Sequence, residues 1–164
     1  MRRKRWLVFS ALMLLSLMAC GDREADNGPE EMPVKAKRTS ARGARYYHSD
    51  ENAEHLLEEP AALPRSYGPQ NVLNLLMENG VLPEGVVVNR WEVDENDVMY
   101  LDLNAVFLDE LQRMGTTGEY LLMGSVVNSL VANFDLTGVF VTAEGEILKT
   151  GHRIYDDMLT FFDE

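Results

Sequence analysis

One thiol and three imidazoles are the most reactive side chains in this 164-residue sequence. The thiol is Cys20, directly after Leu17-Met18-Ala19, and the imidazoles are His48, His55 and His152. No histidine stands at metal-ligand spacing from a second ligand, and no serine occupies a Gly-x-Ser-x-Gly elbow. Carboxylates are plentiful: Tyr46 to Glu164 holds 22 acidic against 5 basic residues. A glycosidase needs two carboxylates flanking one bond, but at this density pairs arise by abundance, and solvated acidic faces account for them. Asp94-Glu95-Asn96-Asp97 carries calcium-type donors without the glycine an EF-hand loop places sixth, so a hairpin turn explains it better. No glycine loop of phosphate-cradling type is present. The expectation is a non-enzymatic chain without catalytic residues, cofactor or metal.

Cys20 has a different context. Arg2, Arg3, Lys4 and Arg5 precede Trp6 to Ala19, 14 residues without a charge. That is the layout of a secretory signal, and it is shorter than the ~20 residues a membrane-crossing helix needs. Leu17 and Ala19 before Cys20 resemble the bacterial lipobox. Residues 1–19 are therefore predicted to be a lipoprotein signal peptide, and Cys20 the lipidated start of the mature chain. A plain signal peptide with an incidental cysteine is the alternative. Acyl chains on Cys20 would each contribute ~0.8 kcal/mol per buried CH₂, holding the protein on the outer face of a bacterial plasma membrane. The thioether leaves no free thiol, and no second cysteine exists for a disulfide.

Loss of the signal takes four positive charges and moves the formal charge from −12 to −16. Residues 20–44 hold few large apolar side chains, and their charge changes sign, from Asp22, Glu24, Asp26, Glu30 and Glu31 to Lys35, Lys37, Arg38 and Arg42. Such a segment cannot offset its ordering entropy and reads as a disordered tether. Its basic half is read as solvated linker, with contact to an anionic membrane as the alternative. Residues 45–164 form the predicted domain, with a net charge of −17 from Tyr46 onward. This acidity excludes nucleic acid as a partner and argues against docking of the domain on anionic lipid.

Within the domain, Arg45 to His48 reads as an opening strand and His55 to Leu57 as a second one. Pro69 to Gly80 has apolar residues at Val72, Leu73, Leu76 and Met77, which predicts a helix of about three turns. "VVVNRWEV" and "VMYLDL" predict a hairpin; Met99, Leu101 and Leu103 share one face, Tyr100 and Asp102 the other. Asn104 is placed as N-cap of a short helix, Ala105 to Leu111. Thr116 and Glu119 have capping-box spacing at the start of a long helix. Leu122, Met123, Val126, Val127, Leu130, Val131 and Phe134 form that helix's buried face, and Ser125, Asn128, Ser129 and Asn133 run down its other side. "GVFVT" and "EILKT" predict a second hairpin, and the apolar tail "GHRIYDDMLTFF" is expected to fold back. The fold class is α+β, a mixed, mostly antiparallel sheet with two main helices packed on one face.

These stretches together resemble the GerMN domain of sporulation and spore germination proteins. The aromatic opening strand is Tyr46-Tyr47, the Pro-x-Gly turn is Pro83-Glu84-Gly85, and the strand end is Leu101-Asp102-Leu103-Asn104. The long helix begins at Gly115-Thr116-Thr117 and contains Val127-Asn128-Ser129-Leu130, and Gly151-His152 closes the pattern. The family's naming member is similar to two such domains in tandem, whereas this chain has room for one. The resemblance implies an exported, lipid-anchored assembly or scaffold module acting through envelope proteins or self-association in sporulation or germination. A peptidoglycan-binding or wall-hydrolase-regulating module is its alternative implication. It also makes Asp102, Asn128, Gly151 and His152 the candidate partner-binding residues. Read locally, Asp102 and Asn128 bond nearby backbone and Gly151 eases a turn. In the partner-binding reading, Asn128→Ala weakens partner capture and leaves unfolding unchanged.

Overall fold

The computed structural model describes residues 43–163; the signal segment, Cys20 and nearly all of the predicted tether lie outside them. Two strands open the fold, β1 (Arg45–Ser49) and β2 (Leu56–Pro60), paired antiparallel as a ribbon. Asp50 makes their turn: its Oδ1 accepts the N–H groups of Glu54 at 2.7 Å and His55 at 3.1 Å.

Helix α1 (Pro69–Glu78) follows, with proline at its first position, where a missing N–H costs nothing. Its end is a Schellman motif. Val81 N–H reaches Leu76 O at 2.8 Å and Gly80 N–H reaches Met77 O at 3.0 Å, with Gly80 at φ +71°.

The main sheet has the order β3-β4-β5-β6, with β3 (Val88–Val93), β4 (Val98–Leu103), β5 (Gly138–Ala143) and β6 (Glu146–Ile147). Both predicted hairpins form, β3 with β4 and β5 with β6. The Asp94 to Asp97 segment is a turn, in which Asp94 Oδ1 accepts N–H groups from Asn96 at 2.9 Å and Val98 at 3.0 Å. The two hairpins join through a parallel pairing of β4 with β5, so the intervening helices α2 (Ala105–Arg113) and α3 (Thr116–Phe134) are the crossover that parallel neighbours require. Met99, Leu101 and Leu103 are buried toward the helices, and Tyr100 is exposed on the outer face, as the alternation predicts.

The core combines α1, α2, α3 and the inner sheet face, with Leu73, Leu76, Met99, Leu101, Phe107 and Leu130 fully buried. Each such side chain contributes roughly 1.5–3 kcal/mol. The tail folds back through bridges Val139–Leu159 and Lys149–Ile154. Gly138 makes room for it, since a Cβ there would lie 2.7 Å from Leu159 O.

Two predicted caps are corrected. Asn104 does occupy the N-cap of α2 but makes no cap bond. Its amide pins the Gly85 turn instead, donating to Gly85 O at 2.7 Å and accepting from Val87 N–H at 3.2 Å, while Glu144 Oε1 accepts the Ala105 N–H at 2.9 Å. At α3 the N-cap is Gly115, so the Thr116–Glu119 capping box does not form. Glu119 turns inward and is buried.

Candidate functional site

The polar row of α3 decides where the ribbon sits. Ser125, Ser129 and Asn133 recur every fourth residue and all are buried, not turned to solvent as the opposite side of an amphipathic helix would be. Ser129 Oγ accepts the Tyr47 N–H at 2.9 Å, Asn133 Oδ1 accepts the Arg45 N–H at 3.2 Å, and Asn133 Nδ2 donates back to Arg45 O at 2.5 Å. The match is one of pitch. Four residues of helix rise about 6 Å, and two residues of strand about 6.6 Å, so alternate N–H groups of β1 meet successive turns of α3. The helix stands in for the missing neighbour of an edge strand.

Asn128 does the same for the tail. It is fully buried, accepts the Phe162 N–H at 2.7 Å and donates to Phe162 O at 3.0 Å. Both ends of its amide are thereby engaged within the chain. A groove of about 320 Å³ beside this clasp is lined by Tyr47, Tyr120, Phe161 and Phe162, with His55, Glu54 and Asp163 among its polar residues. Tyr47 and Phe161 meet edge to face at 5.4 Å, and the Tyr120 and Phe162 rings lie 5.0 Å apart. Burial, then the bond to Glu58, pushes the Tyr47 hydroxyl up to about 12.

Asp102 lies elsewhere, on the outer face of the sheet. It accepts from Thr142 Oγ1 at 2.6 Å, Gly145 N–H at 2.7 Å and Asn89 Nδ2 at 3.2 Å. Burial raises its carboxyl, but these donors and Arg90 outweigh it and hold it below the usual range. It locks the β5–β6 turn, where Glu144 and Gly145 take φ of +52° and +78°. Around it the outer face carries Tyr100 and Phe140, stacked at 5.2 Å and 5°, and Ile147 at 55% exposure.

Gly151 and His152 cap the loop between Lys149 and Ile154, whose turn Thr150 ties by accepting N–H groups from His152 at 3.1 Å and Arg153 at 3.0 Å. Gly151 has no left-handed φ and an added Cβ would meet nothing, so the turn does not demand glycine. The four candidate residues thus fall in three places: Asp102 on the outer sheet face, Asn128 under the tail, and Gly151 with His152 on an exposed loop. The three histidines line three separate cavities. Among the described residues no group of three or more His, Cys, Asp or Glu could hold a metal ion, and no helix is long and apolar enough to cross a membrane.

Sequence reasoning missed Glu119, which it assigned to a cap. Its Oε1 accepts from Tyr155 OH at 2.7 Å and Thr150 Oγ1 at 2.8 Å, while Oε2 is buried without a partner. Burial and then the Glu119 carboxylate drive the Tyr155 hydroxyl well above the ordinary phenol range, so it stays a donor. The available signal was its spacing, three, four and seven residues before Leu122, Met123 and Val126 on the buried face of the helix.

A long helix held between a four-stranded sheet and an edge-docked ribbon defines a small α+β domain whose polar groups clasp one segment of the chain to another more than they form any reactive cluster. The chain belongs to the Germane family, described as sporulation and spore germination, whose model matches residues 24–149. That match begins inside the predicted tether and stops before the tail. The fold is similar to the first GerMN domain of the sporulation protein GerM from Bacillus subtilis, with a TM-score of 0.56 and 19% identity over 71% of this chain and 96% of that one. The tandem GerMN domains of the same protein align with a TM-score of 0.56 and 18% identity over 71% of this chain, but only 45% of that chain is covered. This chain therefore spans less than half of the tandem. Among curated proteins, none matches the chain.

Proposed function

We propose that this protein is a lipid-anchored, non-enzymatic assembly module of the bacterial envelope, acting in sporulation or germination. Lipid on Cys20 holds it on the outer face of the plasma membrane, and the tether predicted for residues 20–44 sets the distance of the domain from that surface, roughly 25–30 Å for a coil of that length. The observation that carries the reading is the outer sheet face. Register puts Arg90 and Glu92, Tyr100, Phe140 and Ile147 on one side of β3 to β6, where no helix of the described residues covers them. An exposed tyrosine and an exposed aliphatic beside the half-buried Phe140, ringed by charge, make the kind of patch that binds protein. The domain's charge of −17 favours a partner with a basic surface.

The test is photo-crosslinking in native envelopes, with the full-length chain carrying the probe at Tyr100, Phe140 or, as control, exposed Glu51. Discrete adducts from positions 100 and 140 alone are expected, and Cys20→Ser should release the chain from the membrane fraction. Adducts from none of the three positions, or equally from all, would sink the assembly reading. Wall binding is a second reading, favoured by the groove lined by Tyr47, Tyr120, Phe161 and Phe162, since sugars stack on aromatic faces. Pelleting of the full-length chain with isolated peptidoglycan, reversed by soluble wall fragments, would make it the leading one.

A further inference from the structure

The four-stranded sheet ends on β3, which among the described residues pairs with β4 alone. The bond from Asp94 N–H to Val98 O at 3.0 Å fixes which backbone groups face β4. By the alternation of an antiparallel pair, Arg90 and Glu92 turn their N–H and C=O toward β4, and those of Trp91 and Val93 lie on the open edge. The Val88 end of that edge is closed by a bulge between Val88 and Arg90 and by Val88 N–H, which donates to Gln70 Oε1 at 2.8 Å. The open part, Arg90 to Val93, is short and its two faces differ. Arg90 and Glu92 are exposed on the outer face and belong to no ion pair of the described residues, although Arg90 is one of only 5 basic residues from Tyr46 to Glu164. On the inner face Trp91 is half-buried and Val93 is 39% exposed, an apolar strip that a further strand would cover.

We propose that this edge pairs with the same edge of a second copy of the chain, β3 against β3, antiparallel about a twofold axis through Trp91. Charge selects that register. Centred on Trp91, the two copies of this residue exchange their outward N–H···O bonds, and each Arg90 stands directly opposite the Glu92 of the other copy. Sliding one copy by two residues sets Glu92 against Glu92 or Arg90 against Arg90, like charges that oppose pairing. On the inner face each Val93 reaches the other copy's Trp91 along the diagonal. The contact is isologous, as a closed dimer requires. At physiological ionic strength charges interact over about 8 Å, so the net −17 of each domain is screened over most of its surface while the Arg–Glu pairs act at contact. An axis perpendicular to the sheet puts both Tyr100–Phe140 faces on one side, yet the edge contact does not rest on the assembly reading.

Sedimentation equilibrium of the purified full-length chain in density-matched detergent tests it. A monomer–dimer equilibrium is expected. Arg90→Glu or Glu92→Arg alone should weaken the dimer by about tenfold or more, because each turns two opposite-charge pairs into like-charge ones. Melting curves should stay unchanged, since both side chains are exposed. An equimolar mixture of the two variants should restore the dimer as a mixed species, and the double variant Arg90→Glu/Glu92→Arg should restore it by itself. A chain that stays monomeric up to about 1 mM, a dimer indifferent to both substitutions, or a loss that neither the mixture nor the double variant repairs would overturn the pairing. Any of these leaves the assembly reading standing, because crosslinks from positions 100 and 140 in native envelopes decide that separately.

Discussion

Leu130 and Ser129 are neighbours on α3 and both are fully buried, yet they are buried against opposite kinds of surface. Leu130 belongs to the apolar cluster shared with the four-stranded sheet. Ser129 faces the edge of β1, donating to Ser125 O at 2.6 Å and accepting the Tyr47 N–H. One face of the helix is held by area removed from water, the other by direction. The apolar face would tolerate small slips, because dispersion contacts are many and individually weak. The polar face admits one register of β1, because each N–H of the strand edge must find its own acceptor.

The largest effect expected from this contrast is on the apolar side. Leu130→Ala should cost about 2–5 kcal/mol through lost burial and a cavity, against about 1–3 kcal/mol for Ser129→Ala, which leaves the Tyr47 N–H without its acceptor. Urea unfolding followed by circular dichroism reads both. Hydrogen exchange then separates the mechanisms: Ser129→Ala should speed exchange in residues 45–49 while leaving β4 and β5 protected. Equal costs with uniform loss of protection would mean that the two faces unfold as one unit and that the contrast has no energetic meaning.

Asn128 sharpens the comparison at the tail. Asn128→Ala removes both bonds to Phe162 and should cost about 1–3 kcal/mol, with early proteolysis after residue 155 as the visible sign. A fall in melting temperature is the result that the partner-binding reading of Asn128 forbids. A variant that melts like the parent and has lost partner capture would restore that reading.

Much of this arrangement was legible in advance. Strong periodicity placed α1 and α3, alternation placed the inner face of β4, and Glu144-Gly145 marked the β5–β6 turn. The parallel pairing of β4 with β5 was not legible, because register between two hairpins is set by how the crossover helices pack and not by either strand's own pattern. The polar row of α3 was misread for a related reason. A Ser, Ser, Asn series at every fourth position looks the same whether it faces water or a strand edge, and the matching N–H groups of Arg45 and Tyr47 carry no side-chain signature. Glu119 was assigned to a cap by its spacing from Thr116, which says nothing about the Thr150 and Tyr155 hydroxyls that arrive from distant sequence.

Tyr47 tests the ribbon side with the smallest perturbation. In the folded chain its hydroxyl is pushed up to about 12, by burial first and by Glu58 second, against an ordinary value of about 10. The folded state therefore keeps a proton that the unfolded chain releases as pH rises past the ordinary value. The resulting stability is complete below that value and is lost as pH climbs toward the folded one. Tyr47→Phe should cost about 0.5–1.5 kcal/mol at neutral pH for the lost bond to Glu58, and should flatten the decline between about pH 10 and 12. Tyr67 and Tyr155 are raised as well and will keep part of that decline in both proteins, so the difference between the two curves is the informative quantity. Parallel curves across the alkaline range would show that the Tyr47 hydroxyl titrates as freely in the folded chain as in the unfolded one and that its bond to Glu58 adds nothing to the pairing of β1 with β2.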